Sequence, residues 1–93
     1  MRKIRFSNQF KKELQLAGKR KKDLNKFHDL MDLLEREAAL PEKYKDHKLQ
    51  GNFEGCRECH LEPDWLLVYR VLSDDVLFER TGNHSDLFKK WKN

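Results

Sequence analysis

The stretch Trp65-Leu66-Leu67-Val68-Tyr69-Arg70-Val71-Leu72 constrains the fold of this chain more than any other. It carries a single charge between Pro63-Asp64 and Ser73-Asp74-Asp75, and reads as a central strand covered on both faces. Its flanks supply neighbours: Gly55 to Glu62 reads as one strand and Val76 to Thr81 as another, with a break at Gly82-Asn83. The N-terminal half has a different rhythm. Arg2 to Phe6 alternates polar and apolar residues as a short strand. Ser7 or Asn8 can cap a helix carrying Phe10, Leu14 and Ala17 that ends near Gly18. Asp23 opens a second helix whose Leu24, Phe27, Met31, Leu34 and Ala38 form an amphipathic stripe, and Leu40-Pro41 closes it. Ser85 is placed to cap a last turn holding Leu87, Phe88 and Trp91. The order β-α-α-β-β-β, with that short final helix, predicts an α+β fold. Two helices pack on one face of a mostly antiparallel sheet, and the other face is left for a site.

A chain of 93 residues fits one domain, 1–93. Six Phe, two Trp and two Tyr supply a core despite the 39% of charged residues. The net charge of +4 is uneven: residues 1–46 hold 13 Lys/Arg against 8 Asp/Glu, and residues 47–93 hold 7 against 8. The excess is densest at Lys19-Arg20-Lys21-Lys22, a turn that is either solvated or meets an anionic partner, nucleic acid or acidic protein. No apolar stretch approaches the roughly 20 residues needed to span a bilayer. The N-terminus also lacks the apolar region of a signal peptide, so the expectation is a cytoplasmic protein with reduced thiols.

Three of the four histidines, His47, His60 and His84, fall in the C-terminal half among Asp46, Arg57, Asp64, Arg80 and Asp86. Imidazole suits proton transfer near neutral pH. Phosphodiester cleavage needs groups that take and give protons and cations that hold phosphate, so this inventory points to a metal-independent nuclease. His28, beside the stripe of the second helix, reads as a surface residue. Cys56-Arg57-Glu58-Cys59-His60 matches the haem-attachment pattern letter for letter. Strand alternation, however, sends Cys56 and His60 to one face and Cys59 to the other, and no second ligand pair stands at zinc-knuckle spacing. The cysteines read as ordinary strand residues, and neither metal nor cofactor is expected.

Three blocks follow one another in order: Asp46-His47-Lys48-Leu49-Gln50-Gly51; Arg57-Glu58-Cys59-His60-Leu61-Glu62-Pro63-Asp64-Trp65-Leu66-Leu67-Val68-Tyr69; and Arg80-Thr81-Gly82-Asn83-His84-Ser85-Asp86-Leu87-Phe88. Together they resemble the YafQ-like branch of the RelE/ParE toxin superfamily, the mRNA-interferase halves of bacterial toxin–antitoxin pairs. The resemblance spans essentially the whole chain. It implies a RelE-type fold and a ribosome-dependent endoribonuclease that cuts translated mRNA at the ribosomal A site. It also implies a cognate antitoxin with a DNA-binding region and a segment that wraps the toxin; an acidic segment would suit Lys19–Lys22. By position the family's functional residues fall on His47, His60, Asp64, His84 and Phe88. Glu58 stands where relatives have another acidic residue and becomes a candidate accessory acid. Cys56 replaces an aromatic, Lys48 a common proline, and Lys89-Lys90-Trp91-Lys92-Asn93 extends past Phe88.

RNA carries its own nucleophile, the 2′-hydroxyl, so an enzyme of this type supplies proton transfer and charge stabilisation. On this reading His84 is the general acid for the departing 5′-oxygen. His60 or His47 acts as base or phosphate ligand, and Asp64 orients an imidazole or assists as base. Arg57 and Arg80 are candidates for the phosphorane charge, and Phe88 for stacking a splayed base. Two other readings compete: a non-nucleolytic ParE-type toxin that binds DNA gyrase, and a general nucleic-acid-binding module using the basic half.

Overall fold

The computed structural model describes residues 1–88. The three apolar runs of the C-terminal half become an antiparallel meander, β3 (Arg57–Glu62), β4 (Trp65–Leu72) and β5 (Asp75–Gly82). β1 (Lys3–Phe6) adds to β5 in parallel, and the two-residue β2 (His47–Lys48) pairs antiparallel with β3, giving the order β1-β5-β4-β3-β2. β2 falls where the sequence reads as a polar connection. Helices α1 (Asn8–Lys19) and α2 (Leu24–Glu35) bury Phe10, Ala17, Phe27, Leu30 and Leu34 against Cys59, Leu67, Tyr69, Val76 and Phe78. Phe10, Phe27 and Phe78 lie 5.4–5.5 Å apart between ring centroids, the spacing of favourable aromatic pairs. The opposite face carries a smaller cluster of Cys56, Leu66, Val68 and Leu87, flanked by Leu49, Phe53 and Phe88. Central burial is shorter than expected. Trp65 to Tyr69 are buried, while Val71 and Leu72 are exposed beyond the reach of either cluster.

Ser7 caps α1, accepting the Phe10 N–H at 2.9 Å, and Asp23 caps α2 through the Asn25 N–H at 3.0 Å. α2 stops at Glu35, several residues before Leu40-Pro41. Glu37 takes a left-handed φ of 60°, and Ala38 N–H bonds back to the Leu33 carbonyl at 3.0 Å, a Schellman closure without glycine. β3 begins at Arg57 and not at Gly55, because Gly55 turns the chain with φ +91°. A Cβ there would lie 2.6 Å from the Arg70 guanidinium. The last helix, α3 (His84–Phe88), is capped by Asn83, whose Oδ1 accepts the Asp86 N–H at 2.7 Å, rather than by Ser85. Trp91 and the tail Lys89–Asn93 lie outside the described residues. Among the described residues no helix is long and apolar enough to cross a membrane.

Candidate active site

Strand alternation builds the site on the face away from α1 and α2. Glu58 and His60 of β3 point there with Leu66 and Val68 of β4, and β2 brings His47 opposite Glu58. The β5–α3 junction delivers His84 from the far side. The imidazoles form a row, with centroids 6.3 Å apart for His47–His60 and 6.0 Å for His60–His84. Phe88 continues it, half-buried, 6.3 Å from the His84 ring and edge-on to Phe53. The sequence-predicted His47, His60, His84, Glu58, Asp64 and Phe88 therefore come together, although 41 positions separate His47 from Phe88.

A carboxylate serves each end of the row. Asp64 Oδ1 accepts the His84 backbone N–H at 2.9 Å and meets the ring Nδ1 at 2.6 Å. That contact places the proton on Nδ1 and leaves Nε2 for a substrate atom. The two bonds from His84, backbone first, hold the Asp64 carboxyl below the usual carboxylate range although it is exposed. Glu58 is 5% exposed, and its Oε1 lies 3.3 Å from His47 Nε2 and 3.6 Å from His60 Nε2. Its Oε2 is buried and has no hydrogen-bond partner among the described residues. His47 Nδ1 rests 2.8 Å from the Lys45 carbonyl oxygen, which sets the tautomer with Nε2 turned to Glu58. Lys45 adopts a left-handed φ of 51°.

The two arginines are not brought into this row. Alternation places Arg57 on the helix side of β3, where its Nε and Nη2 donate to Asp46 Oδ2 at 2.9 and 2.6 Å. The Tyr69 hydroxyl donates to the other Asp46 oxygen. Burial and then this bond push the Tyr69 phenol well above its ordinary range. Arg80 forks onto Glu13 of α1, with Nε–Oε2 2.9 Å and Nη2–Oε2 2.6 Å, and Thr81 N–H adds a bond to Glu13 Oε1 at 3.0 Å. Both forks, expected to face phosphate, are taken up by carboxylates of the scaffold. Sequence reasoning missed Asp46 and Glu13 as their partners. Asp46, adjacent to His47 and ahead of an arginine-bearing strand, carried a signal; Glu13, 67 positions from Arg80, carried none.

The two thiols diverge, Cys59 into the helix-side core and Cys56 to the opposite cluster, and both are free. Burial raises both pKa values above the ordinary thiol range. His28 is exposed on α2. Among the described residues no group of three or more His, Cys, Asp or Glu side chains is arranged to hold a metal ion. Two clefts flank the row. One, of about 430 Å³, lies beside His60 and is lined by Lys26, Lys43, Tyr44 and Lys45. The other, of about 610 Å³, runs between α1 and the β5–α3 junction past Arg20, Lys22 and Asp64.

Residues 2–89 match the family model described as the bacterial toxin of type II toxin-antitoxin system, YafQ. This chain belongs to the YafQ toxin family. The mRNA interferase toxin YafQ of Escherichia coli K12 is 49% identical over 88 residues, 94% of this chain and 96% of the relative. The crystal structure of YafQ from E. coli BL21(DE3) superposes with a TM-score of 0.90 at 47% identity, covering 95% of this chain and 99% of that one. YafQ in the E. coli DinJ–YafQ complex gives 0.87 at 48% identity over 95% and 99%. A metal-bound toxin from Helicobacter pylori gives 0.88 at 40% identity over 95% and 100%. The solved E. coli YafQ chains thus share the fold of this chain over nearly their whole length.

Proposed function

We propose that this protein is the toxin of a type II toxin–antitoxin pair, a ribosome-dependent and metal-independent endoribonuclease that cleaves translated mRNA in the ribosomal A site. The row His47–His60–His84, with a carboxylate at each end, is the observation that carries this reading. In-line cleavage places the attacking 2′-oxygen and departing 5′-oxygen on opposite sides of phosphorus. The outer imidazoles suit those two positions. His47 Nε2, its tautomer set by the Lys45 carbonyl, takes the 2′-hydroxyl proton, and Glu58 stabilises the imidazolium that forms. The 2′-oxygen bonds to phosphorus, the P–O5′ bond breaks, and His84, entering as the imidazolium paired through Nδ1 with Asp64, gives its Nε2 proton to the 5′-oxygen. The products are a 2′,3′-cyclic phosphate and a 5′-hydroxyl. His60, in the middle, faces the phosphate oxygens, and Asp64 keeps His84 aimed. Phe88 extends the row towards a base that can stack on it.

Lys43 and Lys45 beside His60 give the RNA backbone a cationic approach, and Arg57 and Arg80 act through the scaffold. The solved complexes of E. coli YafQ with DinJ support a cognate antitoxin for this chain. Primer extension on a reporter message in a purified translation system tests the proposal, with and without ribosomes and with a zinc- and copper-selective chelator. The expected result is cleavage that needs ribosomes, ignores the chelator and falls about 10²–10⁴-fold in His84→Ala. An intact message at toxin levels that still arrest translation or supercoiling overturns it.

A further inference from the structure

Asp64 and His84 are 64% and 55% exposed in their side chains, so burial does not hold them together. The segments that carry them are also slight: Pro63-Asp64 is a tight turn between β3 and β4, and α3 spans five residues, too few to be stable alone. Each is tied to the same place. Arg20 Nη1 meets Asp86 Oδ2 at 2.8 Å, two residues beyond His84. Lys22 Nζ meets Glu62 Oε1 at 3.1 Å, two residues before Asp64, and Lys26 takes the second oxygen of Glu62 at 3.0 Å.

The anchor is itself closed by backbone hydrogen bonds. Lys21 has a left-handed φ of 63°, and Lys21 and Lys22 N–H groups bond back to Gly18 and Ala17 carbonyls at 3.0 Å each. At the other end, Asp86 Oδ2 also accepts the Asn83 N–H at 3.1 Å, closing a reciprocal cap over His84. A Cβ at Gly82 would lie 3.0 Å from Asp86, so glycine lets α3 fold back to this position. Lys26 and Lys22 lower the Glu62 pKa and Arg20 lowers that of Asp86, consistent with ionised pairs.

We infer that the basic turn between α1 and α2 is a brace that sets the spacing of Asp64 and His84, with Arg20 and Lys22 as positioning residues, a role that rests on the function proposed above. The test is the double variant Arg20→Gln/Lys22→Gln beside the conservative Arg20→Lys/Lys22→Arg, read by amide hydrogen exchange and by cleavage on ribosomes. In the Gln variant the His84 amide should exchange about fivefold faster while β4 amides keep their protection. The cleavage kcat should drop about fivefold with KM within about twofold, and the conservative variant should restore both. Unchanged His84 exchange overturns the brace, as does equal loss of protection in β4, which would mark a merely structural role. A raised KM with unchanged kcat also overturns it, making the two cations RNA contacts. If His84 loses protection and even the parent chain cleaves nothing, the brace stands and the nuclease reading falls.

Discussion

Asp64 and His84 show how an exposed pair acquires chemical definition from two bonds. The carboxylate accepts both the backbone N–H and the ring Nδ1 of one residue, so its charge and the imidazole's aim are coupled. A carboxyl pKa held below its unfolded value of 3.8 gives a definite sign: the contact is at full strength above that pH and is lost only as pH falls through the lower folded value. The His84 backbone amide shift in an NMR titration should therefore step below pH 3.8 in the parent and show no such step in Asp64→Asn. The same substitution should slow cleavage about 10²-fold, because an amide neither stabilises the imidazolium nor enforces its tautomer. A step at or above the ordinary carboxyl range would contradict the coupling. Glu58 poses the complementary case, a buried carboxylate whose one oxygen serves two imidazoles.

Strand β5 links the core to the site at the scale of one element. Trp65 Nε1 donates to Thr81 Oγ1 at 2.9 Å, and that hydroxyl donates to the Leu66 carbonyl at 2.8 Å, all within the buried interior three residues before His84. Thr81→Val leaves the indole N–H unpaired and should cost about 1–3 kcal/mol in urea denaturation; a change near zero would show that the pair is replaceable. The elements themselves were largely legible. Trp65–Leu72 announced β4, Ser7 and Asp23 announced their helices, and the three histidine blocks announced the row. What escaped were features decided by φ or by distant partners. Glu37 and Lys21 end helices in left-handed conformations that neither residue type favours. Arg57 and Arg80 read as phosphate clamps because sequence shows their charge, whereas their partners depend on which sheet face each leaves and on a helix many residues away.

Across the whole molecule the basic N-terminal half and the slightly acidic C-terminal half are joined by charge. Arg5–Asp75, Arg20–Asp86, Lys22–Glu62 and Lys26–Glu62 each pair a cation from the first half with a carboxylate from the second. Part of the basic excess that reads as a nucleic-acid surface therefore holds the helical layer to the loops of the site. In the proposed function, Lys43 and Lys45 of the cleft beside His60 remain as the cations that would meet RNA. In the proposed reaction the imidazole row moves protons for a nucleophile belonging to the RNA. Single-turnover cleavage on a programmed ribosome tests it most directly, using a message with one 2′-deoxynucleotide at the mapped cleavage position. Abolished cleavage there, with a 2′,3′-cyclic phosphate from the all-ribose message, is the predicted result. Cleavage of the deoxy-substituted message at the same rate would rule out the RNA's own 2′-hydroxyl as the nucleophile.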